Sequence, residues 1–145
     1  VTREEIIAKW NPLKDRERDM LIAMAVYEWS DGVLEDYQRQ VAEFGEGRTV
    51  LDTHMTEDDG LHTGWMSYPT TDDNATCDVL RRIATKLRYA NDDEKWCRTT
   101  ISHNPGRFYV GILTTHRHIS VSADTLGRAV CLAALIAVLA KPVQP

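Results

Sequence analysis

The chain has 145 residues, 43% of them hydrophobic and 27% charged, enough to bury one sizeable core without staples. Its 17 Lys and Arg stand against 22 Asp and Glu, a formal net charge of −5. That excludes a generally basic nucleic-acid binder, so direct binding of a duplex is not expected, because a duplex needs a cationic face to displace phosphate counterions. Cys77, Cys97 and Cys131 are odd in number and far apart, which excludes a disulfide scaffold and points to reduced thiols in a cytoplasmic compartment.

Thr2 and Glu5 form a T-x-x-E capping box, which predicts a short helix from Arg3 to Lys9. Asn11-Pro12 reads as the cap and first position of a second helix. This helix is highly charged at LKDRERD, apolar at MLIAMAVY, and ends near Trp29. The start VTREEIIAKW lacks the apolar core of a signal peptide, and an opening on Val1 fits removal of an initiator Met or trimming. Asp31-Gly32 interrupts the pattern. Val33, Leu34, Tyr37, Val41 and Phe44 then recur at helical spacing up to Gly45 and Gly47.

From Arg48 to Tyr68, RTVLDTHM and LHTGWMSY flank the acidic turn EDDG and read as a hairpin or an ordered loop. Tyr68-Pro69 leads into a helix capped by Thr or Asp, whose apolar stripe is Cys77, Leu80, Ile83, Ala84 and Leu87. Arg81, Arg82, Lys86 and Arg88 fall outside that stripe, and Asn91-Asp92-Asp93 ends the helix. WCRTTISH and FYVGILTT around Asn104-Pro105-Gly106-Arg107 make an antiparallel hairpin. HISVSA is the next strand, and Asp124 caps a last helix with Thr125 in its first turn.

That helix is apolar on every side from Ala129 to Ala140, too short a run to span a bilayer. It must be covered on two sides. The expected architecture is α+β: one domain over residues 1–145, with helices on a small antiparallel sheet (an α/β/α-type sandwich) and the apolar C-terminal helix central. Residues 31–67 form an insertion-like segment. MLIAMAVY and AVCLAALIAVLA offer more apolar surface than a small sheet covers, so a homodimer or higher oligomer is expected.

Three blocks in order carry a family resemblance: RERDMLIAMAVYEW (Arg16 to Trp29), YPTTDDNATCDVLRRIATKL (Tyr68 to Leu87) and VSADTLGRAVCLAALIAVL (Val121 to Leu139). Together the chain resembles the phage ABA-sandwich domain family, with Ala123-Asp124-Thr125, Ala129, Cys131 and Ala133-Ala134-Leu135 in register with its closing helix. The segment from Asp31 to Ser67 is longer than the family's, and Cys77 stands near the family's tryptophan. The resemblance implies a phage or prophage origin and an α/β sandwich, and it implies no catalytic residues.

No catalytic signature is visible. There is no P-loop, GxGxxG or GxSxG, and no cysteine has a helix N-terminus and a nearby His. Cys77 and Cys131 are expected on buried faces. Asp58-Asp59 and Asp92-Asp93 are adjacent, so they diverge and read as turns and caps. Asn74-Ala75-Thr76 matches a sequon but reads as a helix start. His116 and His118 share a strand face, with His103, His54 or His62 as further donors. Asp52, His54, Asp58, Asp59 and His62 are a denser cluster without HExxH spacing. No metal or other cofactor is expected from either.

The charge is polarised. Up to His62 there are 7 basic and 15 acidic residues, a net of −8, and from Thr63 there are 10 basic and 7 acidic, a net of +3. The bland reading is two solvated faces of one domain. The sharper one places a partner surface at Asp52, Asp58, Asp59, Trp65 and Tyr68. It also places a ligand surface at Arg81, Arg82, Arg98, Arg107 and Arg117 with Trp96 and Tyr109, where Arg forks suit phosphate and aromatic faces suit a base. The leading expectation is a phage- or prophage-encoded, non-catalytic protein in the cytoplasm of its bacterial host, engaging and inhibiting a host factor as an anti-CRISPR-like defence antagonist. The alternative is an oligomeric sponge for a small anionic nucleotide.

Overall fold

The structure is a computed structural model that describes residues 1–44, 50–56, 60–65, 69–89, 97–114 and 117–140. In chain order it runs α1 (Arg3–Trp10), α2 (Asp15–Ala25), α3 (Asp31–Phe44), β1 (Val50–Thr56), β2 (Gly60–Trp65), α4 (Asp73–Tyr89), β3 (Cys97–Asn104), β4 (Arg107–Thr114), β5 (His118–Ala123) and α5 (Leu126–Leu139). It is an α+β fold. β1 and β2 form a two-stranded antiparallel hairpin beside α3, and β3-β4-β5 form an antiparallel sheet in that order.

The C-terminal helix is the centre of the molecule. β4 and β5 touch α5 on one side, and α1, α2 and α4 touch it on others. Gly127 and every residue from Ala129 to Ala137 are buried. Val110, Ile112, Ile119 and Val121 supply the sheet's part of the core, and Ile22, Val26, Val79, Ile83 and Leu87 supply the helices' part. The layers run sheet, then α5, then α1, α2 and α4, with α4 also reaching β3. The apolar helix is therefore covered within one chain, and its sequence does not itself call for a second copy.

Local signals explain most element boundaries. Thr2 Oγ1 accepts the Glu5 N–H at 3.2 Å and a Glu5 carboxylate oxygen accepts the Thr2 N–H at 3.0 Å, closing the capping box of α1. Asn11 ends α1, its N–H bonded to Ile7 O, instead of starting α2. The restart waits for Lys14, whose N–H donates to the Glu17 carboxylate at 3.0 Å. Arg18 ties the intervening turn, donating to Trp10 O and Asn11 O with its guanidinium 4.9 Å from the Trp10 ring. α2 stops at Ala25, short of Trp29, because Glu28 takes φ 58 and the Trp29 N–H bonds back to Ala23 O, a left-handed closure of the helix end.

One predicted helix face and one predicted cap shift. On α4 the buried residues are Thr76, Val79, Ile83 and Leu87, while Cys77 is exposed and Leu80 and Ala84 are half-buried. The Thr76 hydroxyl donates to Pro69 O at 2.5 Å and lies 3.0 Å from Asp72 O. A threonine satisfied in this way can occupy a core position that a hydropathy count gives to its neighbour. At α5 the cap is Thr125, whose hydroxyl accepts the Arg128 N–H, because the Asp124 carboxylate is engaged with the Arg128 side chain at 2.7 and 2.8 Å.

One buried polar node joins the helices. Asp19 is 1% exposed. It accepts the Thr70 N–H at 2.9 Å and the Thr70 hydroxyl at 2.8 Å, and it pairs with Arg16. Burial pushes its carboxyl above the ordinary 3.8, against those hydrogen bonds. Beside it, Arg128 grips Asp15 with two bonds of 2.9 and 3.0 Å and holds the Asp15 and Asp124 carboxyls below their ordinary value. Gly127 lets α5 approach this loop, since a Cβ there would lie 2.4 Å from Thr70 O and 2.7 Å from Pro69 O.

Candidate functional site

Residues 97–123, which include all three strands of the main sheet, contain Arg98, Arg107 and Arg117, His103, His116 and His118, and no Asp or Glu. Side chains alternate between faces along each strand. The pairing of Arg98, Thr100 and Ser102 with Leu113, Gly111 and Tyr109, and of these with His118, Ser120 and Ser122, puts all nine on the face turned away from α5. Asn104 and Arg107 continue that face at the turn. Its exposed residues include Arg98, Thr100, Ser102, Arg107, His118 and Ser120, with Tyr109 at 38% and Leu113 at 37%. Among the described residues no helix covers it.

The face has cations at both ends and hydroxyls between them. Arg98 and His118 flank Leu113 at one end. At the other, Arg107 donates to Ser122 Oγ at 3.0 and 3.1 Å, a neutral acceptor that leaves its charge uncompensated. Next to it, Asn104 donates to the Tyr109 hydroxyl at 3.3 Å, which orients the ring. The sheet thus presents two guanidinium groups, an aromatic edge and a row of hydroxyls, a set that suits anionic groups.

Of the predicted ligand set, Arg98, Arg107 and Tyr109 are brought together and the others are not. Arg82 lies on α4 with its guanidinium 4.4 Å from the centre of the Tyr27 ring and 3.5 Å from Asp78. The Tyr27 hydroxyl donates to Asp78 at 2.5 Å. Burial first, then Asp78, pushes that phenol well above its ordinary range. Arg82 is therefore part of a clamp between α2 and α4. Arg81 makes a long, exposed pair with Asp78 at 3.8 Å. Arg117 donates to the carbonyls of Ala137, Ile136 and Ala140 at 2.7, 3.3 and 3.0 Å and closes the C-terminus of α5. No signal in the sequence links Arg117 to a helix end some 20 residues later. Trp96 lies outside the described residues.

Of the acidic partner set, Asp52 lies on β1, Trp65 ends β2 opposite Val50, and Asp58, Asp59 and Tyr68 lie outside the described residues. The backbone register also sets His54 opposite His62 in this hairpin. His116 lies outside the described residues, and His103 and His118 occupy opposite faces of the main sheet. Among the described residues no group of three or more His, Cys, Asp or Glu is placed to hold a metal ion, and no helix is long and apolar enough to cross a membrane. Cys131 is buried, and burial raises its thiol well above the ordinary range.

No family model matches the chain, and no curated protein matches it. Among solved structures its fold is similar to that of a phage protein from Bacillus cereus ATCC 14579, with a TM-score of 0.51 and 18% identity over 88% of this chain and 95% of that one.

Proposed function

We propose that this is a phage- or prophage-encoded, non-catalytic binding protein that works in the cytoplasm of a bacterial host, contacts a host factor through the outer face of β3-β4-β5, and inhibits it as a defence antagonist. The observation that carries the reading is that face, an open sheet surface with Arg98, Arg107, Tyr109 and His118 and without a carboxylate. The fold's likeness to a phage protein supports the origin, as does the sequence resemblance to the phage ABA-sandwich family. In the acidic half Asp15, Asp19, Glu28 and Asp36 are paired with Arg or Lys of the same chain. Capture from host lysate tests the reading. The wild type should retain a stoichiometric component that the combined Arg98→Ala, Arg107→Ala and Tyr109→Ala variant loses. Capture of nothing, or equal capture by both, overturns it.

A second reading is a sponge for an anionic nucleotide, favoured by the placement of Arg98, Arg107 and Tyr109 on one face. Saturation at 100-fold above Kd should raise stability by about 2.7 kcal/mol. A panel of cyclic and linear nucleotides that leaves the melting temperature unmoved removes this reading.

A further inference from the structure

The two edges of the main sheet are treated differently. At the β5 edge, Arg3 of α1 donates to Ser120 O, so a helix side chain occupies an outward carbonyl. At the other edge, β3 pairs with β4 alone among the described residues. Its ladder runs without a bulge from Cys97↔Thr114 to Asn104↔Arg107, and every residue after Cys97 is exposed. An eight-residue edge strand usually carries several devices against pairing: charged side chains, Lys above all, a Pro, a bulge, an inward charge or a covering helix or loop. The strand CRTTISHN has no Pro, Lys or bulge, and its one charge, Arg98, is on the outer face.

The two-residue turn at Pro105-Gly106, with Gly106 at φ 82, closes on the Asn104↔Arg107 pair. Such a turn makes the closing pair a hydrogen-bonded one. Backbone groups of Asn104, Ser102, Thr100 and Arg98 then face β4, and those of His103, Ile101, Thr99 and Cys97 point out from the edge. Ile101 lies opposite Val110 on the side of the core, yet it is 47% exposed while Val110 is 1% exposed. The core layer thus reaches β3 only at Cys97, where α4 also touches the strand, and leaves the rest of its inner side open.

We infer that β3 pairs antiparallel with β3 of a second copy of this chain about a two-fold axis at Thr100, joining two three-stranded sheets into one of six strands. The outward groups of Thr99 and Ile101 meet those of Ile101 and Thr99 in the other copy, so each exposed isoleucine gains a β-branched neighbour on the core side. Charge permits this pairing. Arg98 faces Ser102 of the other copy, and the two Arg98 residues lie four positions apart, about 14 Å along the strands, beyond the Debye length of about 8 Å at physiological salt. The interface is a backbone ladder at the sheet edge, separate from the apolar helices. It sets the two outer faces, each with Arg98, Arg107 and Tyr109, side by side.

Light scattering on the full chain at micromolar concentration tests the pairing. The wild type should show about twice the 16.5 kDa chain mass. Ile101→Lys, which puts a charge at the edge without touching the β4 ladder, should raise the dimer dissociation constant at least about 10-fold, with circular dichroism and melting cooperativity retained. Thr100 faces its own copy as a non-hydrogen-bonded pair, where side chains lie closest. Thr100→Cys should therefore cross-link under mild oxidation beyond the background of the native cysteines. A wild type of single-chain mass overturns the inference. So does a dimer that Ile101→Lys leaves intact and Thr100→Cys does not cross-link.

Discussion

The two faces of β3-β4-β5 are built from the same strands and do opposite work. On the inner face Val110, Ile112, Ile119 and Val121 lie against a helix whose buried stretch runs from Ala129 to Ala137. On the outer face the same strands carry Arg98, Thr100, Tyr109, Leu113, His118 and Ser120. Because side chains alternate, a one-residue slip would exchange the two sets, so the buried face fixes the register that the open face then uses. Stability and the proposed recognition surface sit on alternate residues of one element, and substitutions one position apart should separate them.

The largest separation is at Ile112 and Leu113. Ile112 is 1% exposed in the core, and Leu113 is 37% exposed on the outer face. Ile112→Ala removes a buried side chain and leaves a cavity, an expected loss of about 2–5 kcal/mol. Leu113→Ala should cost less than about 1 kcal/mol, since more than a third of the residue is open to solvent and no closed cavity is left. Urea denaturation of the two variants decides it, and comparable losses would mean that the outer face is covered as well.

This alternation was legible in the sequence wherever the signal was local. The hairpin at Pro105-Gly106, the third strand HISVSA, the capping box at Thr2 and the central apolar helix each announce themselves within a few residues. What escaped was set by distant partners. Thr76 enters the core because Pro69 O accepts its hydroxyl. Asn11 becomes a helix end because α2 is capped at Lys14, whose N–H the Glu17 carboxylate accepts. The grouping of Arg98 with Arg107 and Tyr109 follows from register, which needs the strands in place, and Arg81, Arg82 and Arg117 read as ligands only because cationic spacing cannot reveal which carbonyl or ring lies opposite.

Arg107 and Arg117 sharpen the comparison at smaller amplitude. Arg117 bonds to three carbonyls at the end of α5, so Arg117→Ala should cost about 1.5–3 kcal/mol, the usual worth of hydrogen bonds to a charged group. Arg107 touches only the Ser122 hydroxyl, and Arg107→Ala should stay within about 0.5 kcal/mol of wild type while weakening capture of an anionic partner. Thermal melts and binding measured on both variants check the pair. An Arg107→Ala variant as destabilised as Arg117→Ala would place Arg107 among the structural residues.

The smallest effect concerns acid. The outer face has no carboxylate, so the response in the carboxylate range belongs to the helix side, where Asp19, Asp15 and Asp124 shift in opposite senses. Burial raises Asp19 above 3.8. Between that raised value and 3.8 the folded chain holds more protons than the unfolded one, and stability rises as pH falls. Arg128 lowers Asp15 and Asp124. Their contribution is complete above 3.8 and is lost as pH falls through the lowered values, with exposed Asp124 adding less because solvent screens it. The melting temperature should therefore pass through a shallow maximum near the ordinary carboxylate value. Asp19→Asn should remove the rise, and Asp15→Asn should blunt the fall that follows. A wild-type curve that declines steadily from neutral pH and coincides with Asp19→Asn would show that the Thr70 and Arg16 contacts outweigh burial at Asp19, so that the node under α5 acts as an ordinary ion pair.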